Sequence, residues 1–295
     1  KVGFKGTKMT VVSDLNLQVG EREIFGFLGP NGAGKTTTIK MLMGLIYPTR
    51  GEASIFGHPV TDVKIKHRLG FLPEHPYFYD YLTGREFLSF YGSLFGIRKQ
   101  ELKGKIEDLL AKVGLVHAGD TQLRKFSKGM LQRIGIAQAL VNDPDLVILD
   151  EPMSGLDPIG RKEVRDLIFQ LREKGKTVFF SSHIIPDVEM ICDRVGILLK
   201  GKLVNVGKLH EILEARVKQV EITAQGDPNL ILQVLSPLGC SVHQRSDHLS
   251  ITVSGEDQVE EVLRSILTAK GRVISVTPQR ETLEEYFMKV AEEKS

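Results

Sequence analysis

The stretch GPNGAGKTTT, Gly29 to Thr38, sets three glycines ahead of a lysine and three threonines. A loop of the form G-x-x-x-x-G-K-[ST] forms a concave nest of backbone N–H groups. Gly29, Gly32 and Gly34 are expected to adopt conformations closed to residues with a Cβ, and so to let an anion come close. Pro30, Asn31 and Ala33 complete the loop, and Thr37 follows it. Lys35 can reach the β- and γ-phosphates of a nucleotide, and the Thr36 hydroxyl suits an oxygen ligand of Mg²⁺. The flanking segments agree. EIFGFL (Glu23 to Leu28) reads as a buried strand, and KTTTIKMLMGLI reads as a helix whose N-terminus points at the phosphates. A glycine-rich turn that binds nothing is the alternative, and the strand–loop–helix context argues against it.

Four further groups could act with such a cradle. Asp150 and Glu151 follow the apolar run Leu146 to Leu149. A carboxylate at the carboxyl end of a buried strand beside a phosphate loop can hold Mg²⁺, and its neighbour could polarise an attacking water. His183 closes another apolar run; on its own it reads equally as a satisfied buried histidine. SGLD, Ser154 to Asp157, is by itself an ordinary turn. FSKGMLQR, Phe126 to Arg133, offers Ser127 as an N-cap with Leu131, Ile134 and Ala137 at helical spacing. That is a second helix tip with small residues, able to receive an anion. One polypeptide cannot easily present both this tip and the Gly29–Thr36 cradle to a single phosphate, whereas a two-fold partner could.

The elements that must position these groups alternate. Apolar runs such as LVILD (Leu146 to Asp150) and TVFFSSH (Thr177 to His183) read as strands buried on both faces. Longer helical patterns separate them, which predicts an α/β fold with a mainly parallel sheet. Helical sequence from about residue 80 to 141 predicts an insertion. The texture changes near residue 216, so 1–215 is expected to form one domain and 216–295 a second. A length of 295 residues suits about two domains.

Composition excludes several classes. Apolar residues at 41% and charged residues at 26% are ordinary for a globular protein. A net charge of only +2 gives no reason to expect nucleic acid as the main partner. No apolar run approaches the roughly 18 residues needed to span a bilayer, and no signal peptide is read, so a cytoplasmic protein is expected. Cys192 and Cys240 are far apart and support neither a metal site nor a disulfide framework. The chain opens on Lys1, so a few native residues are expected to precede it.

Taken in order, the phosphate loop, FSKGMLQR, LVILDE, SGLD and SSH resemble the ATP-binding subunit of an ABC transporter, over roughly residues 1 to 210. The resemblance implies a P-loop NTPase fold of ABC type and an ATPase using ATP and Mg²⁺. Two cassettes would sandwich two ATP molecules, as a homodimer or a paired subunit. It implies Lys35 and Thr36 on phosphate and metal, Asp150 on the metal, Glu151 as catalytic base and His183 as γ-phosphate sensor. Ser127 and Gly129 would contact the partner's ATP, and Asp157 would lie in a loop crossing the dimer.

Three departures stand out. Phe126, Lys128 and Met130 replace leucine, the first glycine and glutamine of the family's usual Leu-Ser-Gly-Gly-Gln signature. Glu74 stands where most members have a glutamine that senses Mg²⁺ and the membrane subunit. Both features resemble an exporter-dominated branch with separately encoded membrane subunits, which would dock near Glu74 to Phe95 and hold the protein at the cytoplasmic membrane face. Phe4 is the candidate to stack on adenine, although its spacing requires a small insertion, and ordinary core packing is its alternative.

The tail reads as β-α-β-β-α-β, from QVEITAQ to RVISVTP, an order that suits a small ferredoxin-like α+β domain. A last helix is expected with Thr282 and Glu285 as a capping box and Leu283, Phe287 and Val290 on one face. The tail's role is read as a packing or dimer-stabilising appendage, with ligand sensing as the alternative. Two other functions stay open. A soluble ABC ATPase on ribosomes or DNA would be expected to carry two cassettes or a long coiled-coil insertion, and a switch without hydrolysis would be expected to lose Glu151.

Overall fold

The computed structural model describes residues 10–213, 217–245, 248–254 and 258–280, together with Glu285 and Met288. Phe4 and most of the expected helix around Thr282 to Val290 lie outside the described residues. The chain divides into two compact units, Lys1–Leu209 and His210–Ser295.

In the first unit β1 (Ile24–Leu28) runs through the glycine loop into α1 (Lys35–Leu42). A short hairpin of β2 (Ser54–Ile55) and β3 (His58–Pro59) precedes β4 (Leu69–Leu72). Then come α2 (Gly84–Leu94), α3 (Lys99–Lys112) and α4 (Lys128–Ala139). The chain returns through β5 (Leu146–Leu149), α5 (Pro158–Glu173), β6 (Thr177–Ser182), α6 (Ile185–Ile191), β7 (Arg194–Leu199) and β8 (Lys202–Lys208).

These strands form one sheet in the order β4-β5-β6-β1-β7-β8. The first five are parallel, and β8 closes the edge antiparallel to β7. Every residue of β1 and β6 is buried, which is why neither alternates apolar with polar: β1 is apolar throughout and β6 is apolar from Val178 to Phe180. Phe25 and Phe27 pack on Phe179 with ring centroids 5.6 and 5.5 Å apart, so β1 and β6 are locked together beneath the loop. Their carboxyl ends stay level: Leu28 pairs with Ser182, and the Gly29 N–H donates to the Ser182 carbonyl at 3.2 Å. Ligands of open α/β sheets gather at this edge.

The three consecutive helices replace strands between β4 and β5. Thr83 and Glu86 start α2 with a reciprocal capping box. Arg85 then ties α2 to Glu107 of α3 at 2.7 Å and to Asp120 at 2.7 Å. The last of the three, α4, returns to pack on β4 and so rejoins the sheet layer.

In the second unit α7 (Leu209–Leu213) lies at the division, followed by β9 (Val217–Gln225), α8 (Pro228–Leu235), β10 (Ser241–Gln244), β11 (Leu249–Val253), α9 (Val259–Thr268) and β12 (Arg272–Arg280). The sheet order is β10-β11-β9-β12, with every pairing antiparallel. That is the β-α-β-β-α-β plait expected from the tail's pattern. Val220, Ile222 and Ala224 of β9 alternate inward to meet Ile231 of α8 and Ile266 of α9.

Candidate active site

The loop after β1 takes its shape from its glycines. Gly32 and Gly34 have φ of 80° and 107°, in the region that favours glycine. Gly29 is not among the positive-φ residues; its reason is packing, since a Cβ there would run into the Leu198 carbonyl. Thr38, buried on the first turn of α1, donates to the Gly34 carbonyl at 3.0 Å and steadies the turn. Pro30, Asn31, Gly32, Gly34, Lys35, Thr36 and Thr37 line a cavity of about 210 Å³ that also takes in Glu74 and Glu151. Ala33 is buried behind it.

Lys35 folds back over its own loop. Its ammonium donates to the Gly29 carbonyl at 2.6 Å and the Pro30 carbonyl at 3.3 Å, and it lies 3.0 Å from Glu151 Oε1. Both side chains of that ion pair are about nine-tenths buried or more, at 6% and 5% exposed. His183, just beyond β6, puts Nδ1 2.8 Å from the other carboxylate oxygen of Glu151. One carboxylate is thus clamped between a lysine and a histidine from two different strands' ends.

The metal-type donors lie alongside. Thr36 Oγ1 donates to Glu74 Oε2 at 3.3 Å. Asp150, 1% exposed, accepts from Ser181 Oγ at 2.6 Å. Burial pushes the Asp150 carboxyl above its usual range, and the nearby charges of Glu74 and Glu151 push the same way. The hydrogen bond from Ser181 opposes that rise. The donor set of Thr36, Glu74 and Asp150 is all hard oxygen and fits Mg²⁺. Among the described residues no three His, Cys, Asp or Glu side chains gather as a metal site. A cation held here would therefore also need phosphate or water oxygens, as Mg²⁺ commonly does.

Glu151 occupies a left-handed backbone position, φ 52°. For a residue with a Cβ this costs roughly 1–3 kcal/mol, a kind of strain that clusters at functional sites. Its N–H donates to Ser181 Oγ at 2.9 Å. Sequence reasoning missed Ser181 and Thr38, for a serine or threonine inside a strand or helix gives no local signal of what its hydroxyl will meet.

Ser127, Gly129 and Asp157 do not line the cavity. Ser127 caps α4, accepting from the Met130 N–H at 3.2 Å, and Asp157 caps α5, accepting from Gly160 at 2.7 Å. The two turns are neighbours, because the end of the Lys128 side chain lies across Gly155.

A family model described as ABC transporter matches residues 12–154. An ABC transporter ATP-binding protein of Synechocystis sp. is 44% identical over an alignment spanning all of this chain and 82% of that protein. The chain belongs to the ABC transporter ATP-binding proteins. The bacitracin transport ATP-binding protein BcrA of Bacillus licheniformis is 40% identical, with 95% of this chain and 92% of BcrA aligned. An ATP-binding cassette solved as a dimer in a post-hydrolysis state, with ADP and Pi bound, superposes with a TM-score of 0.62 at 26% identity, covering 69% of this chain and 94% of that one. This ABC subunit is an ATPase, and its P-loop NTPase fold carries the cavity at the carboxyl ends of β1, β5 and β6. No helix among its described residues is long and apolar enough to cross a membrane.

Proposed function

We propose that this ATPase energises export through partner transmembrane subunits, with Glu151 as the base of hydrolysis. The observation that carries the reading is the clamped carboxylate: Glu151 sits between Lys35 at 3.0 Å and His183 at 2.8 Å, on the wall of the glycine-loop cavity. In this reading the backbone of Gly29 to Gly34 and the Lys35 ammonium bind the β- and γ-phosphates. Thr36, Asp150 and Glu74 hold Mg²⁺, which when bound offsets phosphate charge. Glu151 orients the attacking water and accepts its proton, and His183 orients Glu151 and senses the γ-phosphate. Ser127 and Gly129 reach the ATP of a second cassette, Asp157 lies in the crossing turn, and Phe4 remains the candidate for adenine.

The docking face for the membrane subunits is the aromatic segment from Glu74 to Phe95. Phe87 is core, at 1% exposed, whereas Tyr77 is 80% exposed. Tyr79, Tyr81, Leu82, Glu86 and Phe90 border a hollow of about 410 Å³. An apolar-lined groove of this kind suits a short amphipathic helix. Export, and a place on the cytoplasmic membrane face, follow from the Glu74 and FSKGM departures and from the transport role in BcrA's name.

The test is reconstitution. The subunit is co-purified with the multi-span proteins encoded beside its gene and sealed into vesicles. ATP added on the side of this subunit is expected to drive substrate to the opposite side, and Glu151→Gln to abolish that movement. Failure of the membrane proteins to retain the subunit, or movement toward it, would overturn the reading.

A further inference from the structure

Between the Asp150 carboxylate and the Glu151 backbone lies a hydroxyl that has no part in the reading above. Ser181 is fully buried in β6. Its Oγ donates to Asp150 Oδ1 at 2.6 Å and accepts from the Glu151 N–H at 2.9 Å. A hydroxyl has one proton. Here that proton is committed to the carboxylate, since the amide hydrogen takes the acceptor side. The short O–H···O⁻ distance is that of a charge-assisted bond.

We propose that Ser181 is the positioning residue of the site, setting the Asp150 carboxylate for the metal and the Glu151 backbone for the base. The two arms act on consecutive residues. On the Asp150 side, the serine takes Oδ1 and limits how the carboxylate can turn. The Asp150 N–H donates to the Leu72 carbonyl at 2.8 Å, so its backbone is held from β4 while its side chain is held from β6. On the Glu151 side, the serine is the acceptor for an N–H whose residue sits at φ 52°. Losing that acceptor would leave a buried donor unpaired and remove the contact that favours this conformation. The carboxylate of Glu151 would then drift from Lys35 and His183. With its hydroxyl taken up by Asp150 and the Glu151 N–H, Ser181 acts through its neighbours, as outer-shell partners of metal ligands do.

This inference rests on the proposed metal role of Asp150, and the experiment separates the two. Mn²⁺ binding to the full chain with saturating ADP is followed by electron paramagnetic resonance, and ADP affinity in EDTA is measured in parallel. Ser181→Ala is expected to weaken Mn²⁺ binding on the order of 10-fold while leaving metal-free ADP affinity within about twofold, the range known for lost outer-shell partners being about 10–100-fold. Because alanine at a buried site could cost folding, Ser181→Thr and Ser181→Val form a second pair of equal shape that differ in the hydroxyl. Threonine is expected to retain Mn²⁺ affinity and valine to lose it. Folded alanine and valine variants with wild-type Mn²⁺ affinity would overturn the role of Ser181. Wild-type protein that binds ADP but no Mn²⁺ would overturn the metal reading itself, and the inference with it.

Discussion

The Lys35 ammonium and the Glu151 carboxylate face each other at 3.0 Å inside the site, both almost fully buried. In the proposed reading a nucleotide phosphate would need the same ammonium, so carboxylate and phosphate would compete for one cation. His183, at 2.8 Å from the other oxygen of Glu151, gives that carboxylate a second partner when Lys35 turns to phosphate.

The pair makes Glu151→Gln informative in two ways. Glutamine keeps the shape but cannot accept a proton as a base, so hydrolysis is expected to fall on the order of 10²- to 10⁴-fold. Nucleotide binding should persist and tighten, because Lys35 no longer faces a competing charge. Calorimetry with ADP isolates the second effect from hydrolysis. Wild-type turnover would remove Glu151 as the base, and weaker ADP binding would remove the competition.

Lys35→Ala should lose productive nucleotide binding and also destabilise the fold. It deprives a buried carboxylate of one partner, and breaking a buried ion pair costs up to about 3–5 kcal/mol. The double variant Lys35→Ala/Glu151→Gln should recover part of that loss, since it removes the stranded charge. Urea unfolding of the single and double variants measures the coupling. Equal stability of wild type and Lys35→Ala would mean that the pair contributes nothing.

Much of this site was legible because its chemistry is local. The glycine and lysine spacing of residues 29 to 36, and carboxylates ending an apolar run, suggest within a few residues the roles proposed for them. The strands were legible for the same reason: burial on both faces leaves β1 and β5 without a polar residue and gives β6 an apolar centre at Val178 to Phe180. The tail was legible through alternation, since Val220, Ile222 and Ala224 alternate with Gln219, Glu221 and Thr223. What could not be read depends on distant partners. Ser181 meets Asp150 and Glu151 across 30 or so residues of chain, and nothing near Ser181 announces them. The hairpin of β2 and β3 is only two residues per strand and has too little pattern to read.

The aromatic segment after Glu74 separates fold from partner. Tyr77 is 80% exposed, and its ring packs edge-to-face with Tyr79 at a centroid distance of 5.9 Å. Tyr77→Glu should therefore leave the melting temperature unchanged while ATPase activity loses its response to the membrane subunits. Phe87 is the contrast: it is 1% exposed, and Phe87→Ala should cost about 3–5 kcal/mol of stability. Normal assembly and transport in Tyr77→Glu and Tyr79→Glu would move the docking face elsewhere.

A complete site should require two chains. Ser127 and Asp157 cap their own helices and do not border the cavity that holds Lys35. In the two-chain reading, a phosphate in one chain's loop meets a Ser127 tip supplied by a second chain. Groups delivered by a partner can act as an arginine finger does, where gains of about 10³–10⁵ in rate are known. Activity per chain is expected to rise with protein concentration or with assembly on the membrane subunits. The decisive experiment mixes two inactive variants, Lys35→Ala and Ser127→Arg. In a mixed dimer one site combines both lesions, and the other joins the intact loop of one chain to the intact tip of its partner. Random pairing at equal amounts gives roughly a quarter of the sites intact, and about that share of wild-type activity if each of the two equivalent sites works alone. Mixed dimers shown by mass spectrometry to form but lacking activity would mean that both sites must be intact for either to turn over. Full activity of Ser127→Arg alone would end the two-chain model, because the tip would then have no part in the chemistry.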